Sequence, residues 1–180
     1  RQVGPTTRSA SRATLVRYAP GMGEETPAIR AANAAGIPFK VVRIPPPSSA
    51  EESAVAQGIE LGRLLRTIVV RRSADDYVFV LVPGGRQIDW AKLRASLGVN
   101  RLALPDREEA REATGYERGA ITPFGSTTAW PVIADASLNG LDRVAIGGGA
   151  RGVNLHLSPA DLLRALDASV ADVTRPARPD

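Results

Sequence analysis

Two β-rich apolar runs, "TIVVR" (67–71) and "YVFVLV" (77–82), stand on either side of the short polar break "SADD". This pairing constrains the fold more than any other feature, because such runs joined by a polar turn read as a β-hairpin. The chain around it carries helix signals. Thr26-Pro27 reads as an N-cap followed by proline at the first helical position, and "AIRAANAA" continues to a stop at Gly36. "FKVVRI" (39–44) is a strand halted by Pro45, Pro46 and Pro47. Ser49 with Glu52 has the capping-box pattern for a helix to about Gln57. "PGGRQ" reads as a loop. Asp89 caps a helix with Trp90, Leu93 and Leu97 on one face, and "RLAL" is a short strand. Asp106 with Glu109 opens another helix, which Gly115 should end. "PVIAD", "RVAI" and "VNLHL" are strands, and Ser158-Pro159 begins a last helix with Leu162, Leu163 and Leu166 inward. Helices separate some strands and hairpins join others. That mixture predicts an α+β fold with a mixed, largely antiparallel sheet and flanking helices.

At 180 residues the chain is long enough for one domain, and 43% hydrophobic residues suffice for a core. No apolar run is long enough to span a bilayer. The first twenty residues lack the apolar stretch of a secretory signal. Without cysteine there is no disulfide, thiolate metal site or cysteine nucleophile, and a single histidine, His156, speaks against a histidine zinc site or a Ser-His-Asp triad. The absence of cysteine fits a cytoplasmic protein. The net charge of +4 has a local source: Arg1, Arg8, Arg12 and Arg17 precede the first acid, and the remaining 19 basic groups balance the 19 acidic ones. The basicity therefore belongs to residues 1–22, read as a tail, and says little about polyanion binding by the folded body. Residues 174–180, "TRPARPD", also read as a tail.

Two glycine-rich stretches could carry chemistry. "GGGARG" (147–152) could cradle a phosphate with backbone N–H groups. It lacks the G-x-x-x-x-G-K-[ST] spacing and precedes a strand rather than a helix, so a tight strand-to-strand turn is favoured. "GYERGAITPFG" (115–125) is different. Gly119 has no Cβ to keep a ligand from its N–H, Pro123 stiffens the loop, and fixed donors of this kind can face a developing oxyanion. From these residues alone, a ligand loop and a structural turn stand level.

"ATGYERGAITPFG", then "PVIADA", then "GGGARGVNLHLSPADLLRALDASVADV", preceded by "AANAAGIPFKVV" and "GRLLRTIVV", resemble in order the YbaK/EbsC family, the prolyl-tRNA-synthetase-associated editing domains. The similarity covers residues 27–173, and each motif alone is unspecific. The resemblance implies a compact mixed sheet or barrel-like core over residues 23–173. It implies a deacylase that hydrolyses the ester of mischarged aminoacyl-tRNA, of the Cys-tRNA(Pro) or Ala-tRNA(Pro) type, with no metal or cofactor. Its partners would be the 3′ end of aminoacyl-tRNA and prolyl-tRNA synthetase. The family's G-x-x-x-P loop falls on Gly119, Ala120, Ile121, Thr122 and Pro123. That assigns Gly119 a catalytic backbone role and places Ala120 to Pro123, Phe124, Gly125, Gly148, Gly149 and Asn154 at the substrate.

Two positions depart from the family pattern. Arg66 stands where the family carries a lysine before its central strand, and Asn154 where relatives have aspartate. Arginine stays protonated and offers a planar fork of donors, so Arg66 could hold a phosphate or polarise the ester carbonyl but could not move a proton. Asn154 should attract a free ammonium less than aspartate would. The alternative to a deacylase is therefore a catalytically impaired module that binds tRNA or a synthetase on the same fold. His156 reads as a surface residue on the Asn154 face. Arg63, Arg71 and Arg72 form a basic cluster with Arg66 that could track an acceptor stem or simply be solvated. Ser126, Thr127 and Thr128 could reach a terminal adenosine, and Trp90 and Trp130 read as core or rim.

Overall fold

The computed structural model of the protein describes Gly23 and residues 25–179, so the expected tail over residues 1–22 lies outside the described residues. Among the described residues five α-helices form: α1 (Pro27–Ala34), α2 (Ala50–Gln57), α3 (Trp90–Leu97), α4 (Arg107–Thr114) and α5 (Pro159–Ala165). Each starts as the sequence dictates. The side chains of Thr26, Ser49, Asp89, Asp106 and Ser158 accept from the backbone N–H three residues on, which satisfies a donor that would otherwise be orphaned. The Glu52 carboxylate completes the second cap by accepting from the Ser48 N–H at 3.0 Å, one residue ahead of the expected Ser49. Gly58, Gly98 and Gly115 end α2, α3 and α4 in the left-handed conformation.

Nine strands among the described residues form three sheets. β1 (Lys40–Arg43), β7 (Val153–Leu157) and β6 (Val144–Gly147) make an antiparallel sheet in that order. β2 (Leu65–Ser73) and β3 (Asp76–Pro83) form the expected hairpin, which continues through β5 (Val132–Asp135) and β8 (Ser169–Ala171) by parallel pairing. β4 (Arg86–Ile88) pairs with β9 (Thr174–Pro176). The hairpin sheet is covered on both faces, which explains why "YVFVLV" is a continuous apolar run rather than an alternating one. Tyr77, Phe79 and Leu81 pack into a core shared with α1, α5 and the three-stranded sheet. Val78, Val80 and Val82 pack into a second core with Ile88, Leu93 of α3 and Val173.

The α+β class with mixed, mostly antiparallel pairing is borne out. The barrel-like alternative is not: the four-stranded order ends at β2 and β8, and a single bridge, Leu64 to Ala145, links it to the three-stranded sheet. Three local expectations need correction. Residues 174–176 are not tail. Thr174 is fully buried, its Oγ1 accepts from Arg86 Nε at 2.6 Å, and its carbonyl accepts from Lys92 Nζ at 3.2 Å. "PGGRQ" is not all loop, because Arg86 and Gln87 belong to β4 once that partner is present. "RLAL" contributes only a bridge between Ala103 and Arg71. Leu104 beyond it faces solvent, and Pro105 has no N–H to extend a ladder.

Candidate active site

A cleft of about 840 Å³ opens along the outer edge of β2. Among the described residues that edge is paired only by two bridges, Leu64–Ala145 at one end and Arg71–Ala103 at the other. The cleft's walls come from β2, the start of α2, residues 104–107, the loop at 118–121, and the turn leading into β7. Arg66, Gly119, Ile121 and Asn154 all line it, although 88 residues of sequence separate the first from the last. Strand pairing achieves this: Asn154 sits opposite Gly147 and Val42, and Ala145 touches Leu64 beside Arg66.

Gly119 is exposed on the cleft wall with φ +90°, and a Cβ there would find nothing nearer than Arg151 side-chain atoms at 3.7 Å. The following N–H, of Ala120, donates to Glu117 O at 2.9 Å and closes the turn. The Gly119 N–H has no such acceptor among the described residues. The rest of the loop turns inward. Ala120, Thr122, Pro123 and Phe124 are buried, and Tyr116 Oη donates to Phe124 O at 2.6 Å. Burial raises the Tyr116 pKa to about 12, so the phenol stays a donor. Gly125 packs on the first turn of α1, where a Cβ would lie 2.5 Å from Pro27 carbonyl atoms. The loop is thus anchored at its C-terminal half and presented to the cleft at Gly119 and Ile121. Ala120, Thr122, Pro123, Phe124 and Gly125, expected at the substrate, form the anchor instead of the cleft wall.

Gly148 and Gly149 also stand behind the wall. Gly148 N–H donates to Val153 O at 2.7 Å, its carbonyl accepts from Thr26 Oγ1 at 2.5 Å, and Gly149 packs on Ala28 and Tyr116. The glycine stretch is the tight turn between β6 and β7, not a phosphate cradle.

Arg66 is exposed at the cleft, and its Nη2 donates to the Arg86 carbonyl. Asn154 is nearly buried, with Nδ2 3.5 Å from Val42 O. The cluster read around Arg66 is dispersed. Arg63 pairs with Asp142 at 2.5 Å, Arg71 with Glu109 at 2.9 Å, and Arg72 with Asp76 at 2.7 Å. In its place Arg107, Arg118 and Arg151 join Arg66 around the cleft, facing a single carboxylate, Asp106. These three were not legible as a group, since the body's charges balance and the residues lie far apart in sequence. Thr67 also lines the cleft, and its buried Oγ1 has no hydrogen-bond partner among the described residues.

His156 is buried, not superficial, and its Nε2 lies 2.8 Å from Gln57 Oε1. Burial lowers its pKa, with Arg143 and Lys40 adding to the effect. Ser126, Thr127 and Thr128 stand away from the cleft. Trp130 is half-buried, donating to Ala113 O at 2.8 Å and meeting Tyr77 edge-on. Trp90 packs on the second core. Among the described residues no group of His, Asp or Glu could hold a metal, and no helix is long and apolar enough to cross a membrane.

The aminoacyl-tRNA editing domain model matches residues 44–165, well over half of the chain, and the chain belongs to that family. It is 27% identical over 126 residues to the candidate Cys-tRNA(Pro)/Cys-tRNA(Cys) deacylase EbsC of Enterococcus faecalis, covering 70% of this chain and 77% of that protein. It is 30% identical over 109 residues to the proline–tRNA ligase of Thermosipho melanesiensis, covering 61% of this chain but only 19% of that longer enzyme. A crystal structure described as a candidate trans-editing enzyme for prolyl tRNA synthetase superposes with a TM-score of 0.78 at 30% identity, covering 85% of this chain and 99% of that one.

Proposed function

We propose that the protein hydrolyses, in trans, the ester of mischarged aminoacyl-tRNA of the Cys-tRNA(Pro) or Ala-tRNA(Pro) type, acting on the 3′ end and working beside prolyl-tRNA synthetase in the cytoplasm. The observation that carries this reading is the composition of the cleft. Among the described residues it holds a permanent cation, Arg66, a glycine N–H without an acceptor, and a single carboxylate, Asp106. An ester needs little more. Water adds to the acyl carbon, and the developing oxyanion is met by the Gly119 backbone. The ribose oxygen leaves with a proton, and the products are an amino acid and free tRNA. Proton transfer falls to water and the neighbouring ribose hydroxyl. Arg66 holds a phosphate or the acyl oxygen by charge alone, and the arginines around the cleft suit the polyanionic acceptor end. Within the cleft, Ile121 would bound the acyl group and Asn154 would meet its amine or the ribose.

Single-turnover deacylation of Cys-tRNA(Pro) and Ala-tRNA(Pro), comparing wild type with Arg66→Ala and Gly119→Ala, tests this. Hydrolysis lost in both variants is the expected result. Wild-type hydrolysis no faster than buffer, alongside measurable tRNA binding, would replace the deacylase with a binding module.

A further inference from the structure

Ser53 lies on the cleft side of α2 and is only 7% exposed. Its Oγ accepts from Gln57 Nε2 at 2.8 Å, an i,i+4 contact on one helix face. The other end of the same amide, Oε1, sits 2.8 Å from Nε2 of His156 on β7. With the amide in this orientation its oxygen accepts, so His156 Nε2 carries the hydrogen and the Gln57 amine donates to Ser53. Gln57 gives its N–H to Ser53, and Ser53 has no acceptor for its own O–H among the described residues.

We propose that Ser53 is a substrate-contacting donor of the cleft, with Gln57 and His156 as positioning residues that fix which way its hydroxyl points. The Ser53 O–H is then offered to an oxygen of the aminoacyl-ribosyl end, in the cleft that Thr67 and Asn154 also line. This rests on the proposed function above. His156, the only histidine, reads the cleft through Gln57 without touching it.

The test has two parts on the full 180-residue chain. Nitrogen-15 NMR of the single imidazole should show the neutral Nε2–H tautomer at pH 7.5, and Gln57→Leu should let it drift toward a mixture. Calorimetric binding of an alanyl-adenosine analogue, with an amide in place of the ester, gives the second readout. Ser53→Ala and Gln57→Leu should each weaken it by roughly two- to tenfold, the size of one hydrogen bond. The double variant should lose no more than the worse single one, and Ser53→Thr should recover most of the affinity. An Nδ1–H tautomer in wild type, or unchanged affinity in Ser53→Ala beside a wild type that binds, overturns this inference alone. A wild type that does not bind the analogue overturns the proposed function and this inference with it.

Discussion

Replacing Gly119 with alanine separates a loop that contacts substrate from one that merely turns the chain. The residue sits at φ +90°, where an L side chain is strained, at a cost of about 1–2 kcal/mol. Packing adds little, because the new Cβ would meet only Arg151 atoms at 3.7–3.8 Å. For a chain of this size that amounts to a fall of about 2–8 °C in melting temperature. Activity should respond out of proportion. The methyl group would project where the N–H must approach the ester, and losing one oxyanion donor costs about 10²–10³ in rate. Gly125→Ala is the control. It has φ +71°, and its Cβ would also lie 2.5 Å from the Pro27 backbone and 2.7 Å from Tyr116 Oη, so overpacking adds about 1–3 kcal/mol to the strain. Thermal melts with single-turnover deacylation of Ala-tRNA(Pro) decide the matter. The expected order is Gly125→Ala worse in stability, with Gly119→Ala down by only about 2–8 °C in melting temperature and a hundredfold or more in rate. A Gly119→Ala rate within threefold of wild type would remove the loop backbone from the chemistry.

Other substitutions test the rest of the reading. Arg66→Lys should lower the single-turnover rate several-fold, because one ammonium replaces a planar fork that holds Arg86 O and still faces the cleft; a gain of activity from nothing would favour the impaired-module alternative. His156 has its pKa depressed in the fold, so between its folded value and the unfolded value near 6.5 the unfolded state binds the extra proton. Its neutral form therefore supports stability above pH 6.5, and that support drains away as pH falls. His156→Gln should flatten the urea-midpoint profile between pH 7 and 5, and an unchanged slope would refute the assignment. Asp135 is buried. Burial alone would raise its pKa, but hydrogen bonds from Ser137 and from the Val173 and Ser137 N–H groups hold it below the usual carboxylate range. Its contribution is present above pH 4 and is lost as pH falls through the folded pKa. Asp135→Ala should cost about 2–4 kcal/mol in urea titration, since it orphans those donors and a buried part of Arg86.

All five helix starts were legible because a cap is chemistry between residues three apart. The hairpin was legible because β-branched residues crowd both its arms around one polar turn. β4, β8 and β9 were not. Three residues carry no periodicity, and what makes them strands is a neighbour far along the chain, as Thr174 is for Ile88. The site divides the same way. Gly119 stood out by loop chemistry and Arg66 by family resemblance, and both reach the cleft. The loop residues after Gly119 could not be sorted from sequence into wall and anchor, because the sorting depends on Tyr116 reaching back to Phe124 O and on Gly125 meeting α1. Ser53 and Gln57 looked like ordinary helix positions until His156 arrived from another strand.

The arginine at position 66 belongs to a braced arrangement rather than a loose substitution. Its Nη2 rests on the Arg86 carbonyl. Arg86 in turn donates to Thr174 Oγ1 at 2.6 Å, and its Nε lies 3.7 Å from the buried Asp135 carboxylate. Asp135 is fixed by Ser137 and Val173. The cation at the cleft is therefore held through a line of bonds running into the second core, and β9 is part of the brace. A group so placed cannot act as an acid or base at neutral pH, because guanidinium keeps its proton. It can act by standing charge in a fixed place, and preorganised charge of that kind lowers a barrier without reorganising when the oxyanion forms. Truncating the chain before Thr174 should therefore depress hydrolysis more than the loss of seven terminal residues, three of them in an edge strand, would suggest, because it removes the anchor of Arg86. Equal activity in a folded chain ending at Val173 would show that Arg66 needs no brace.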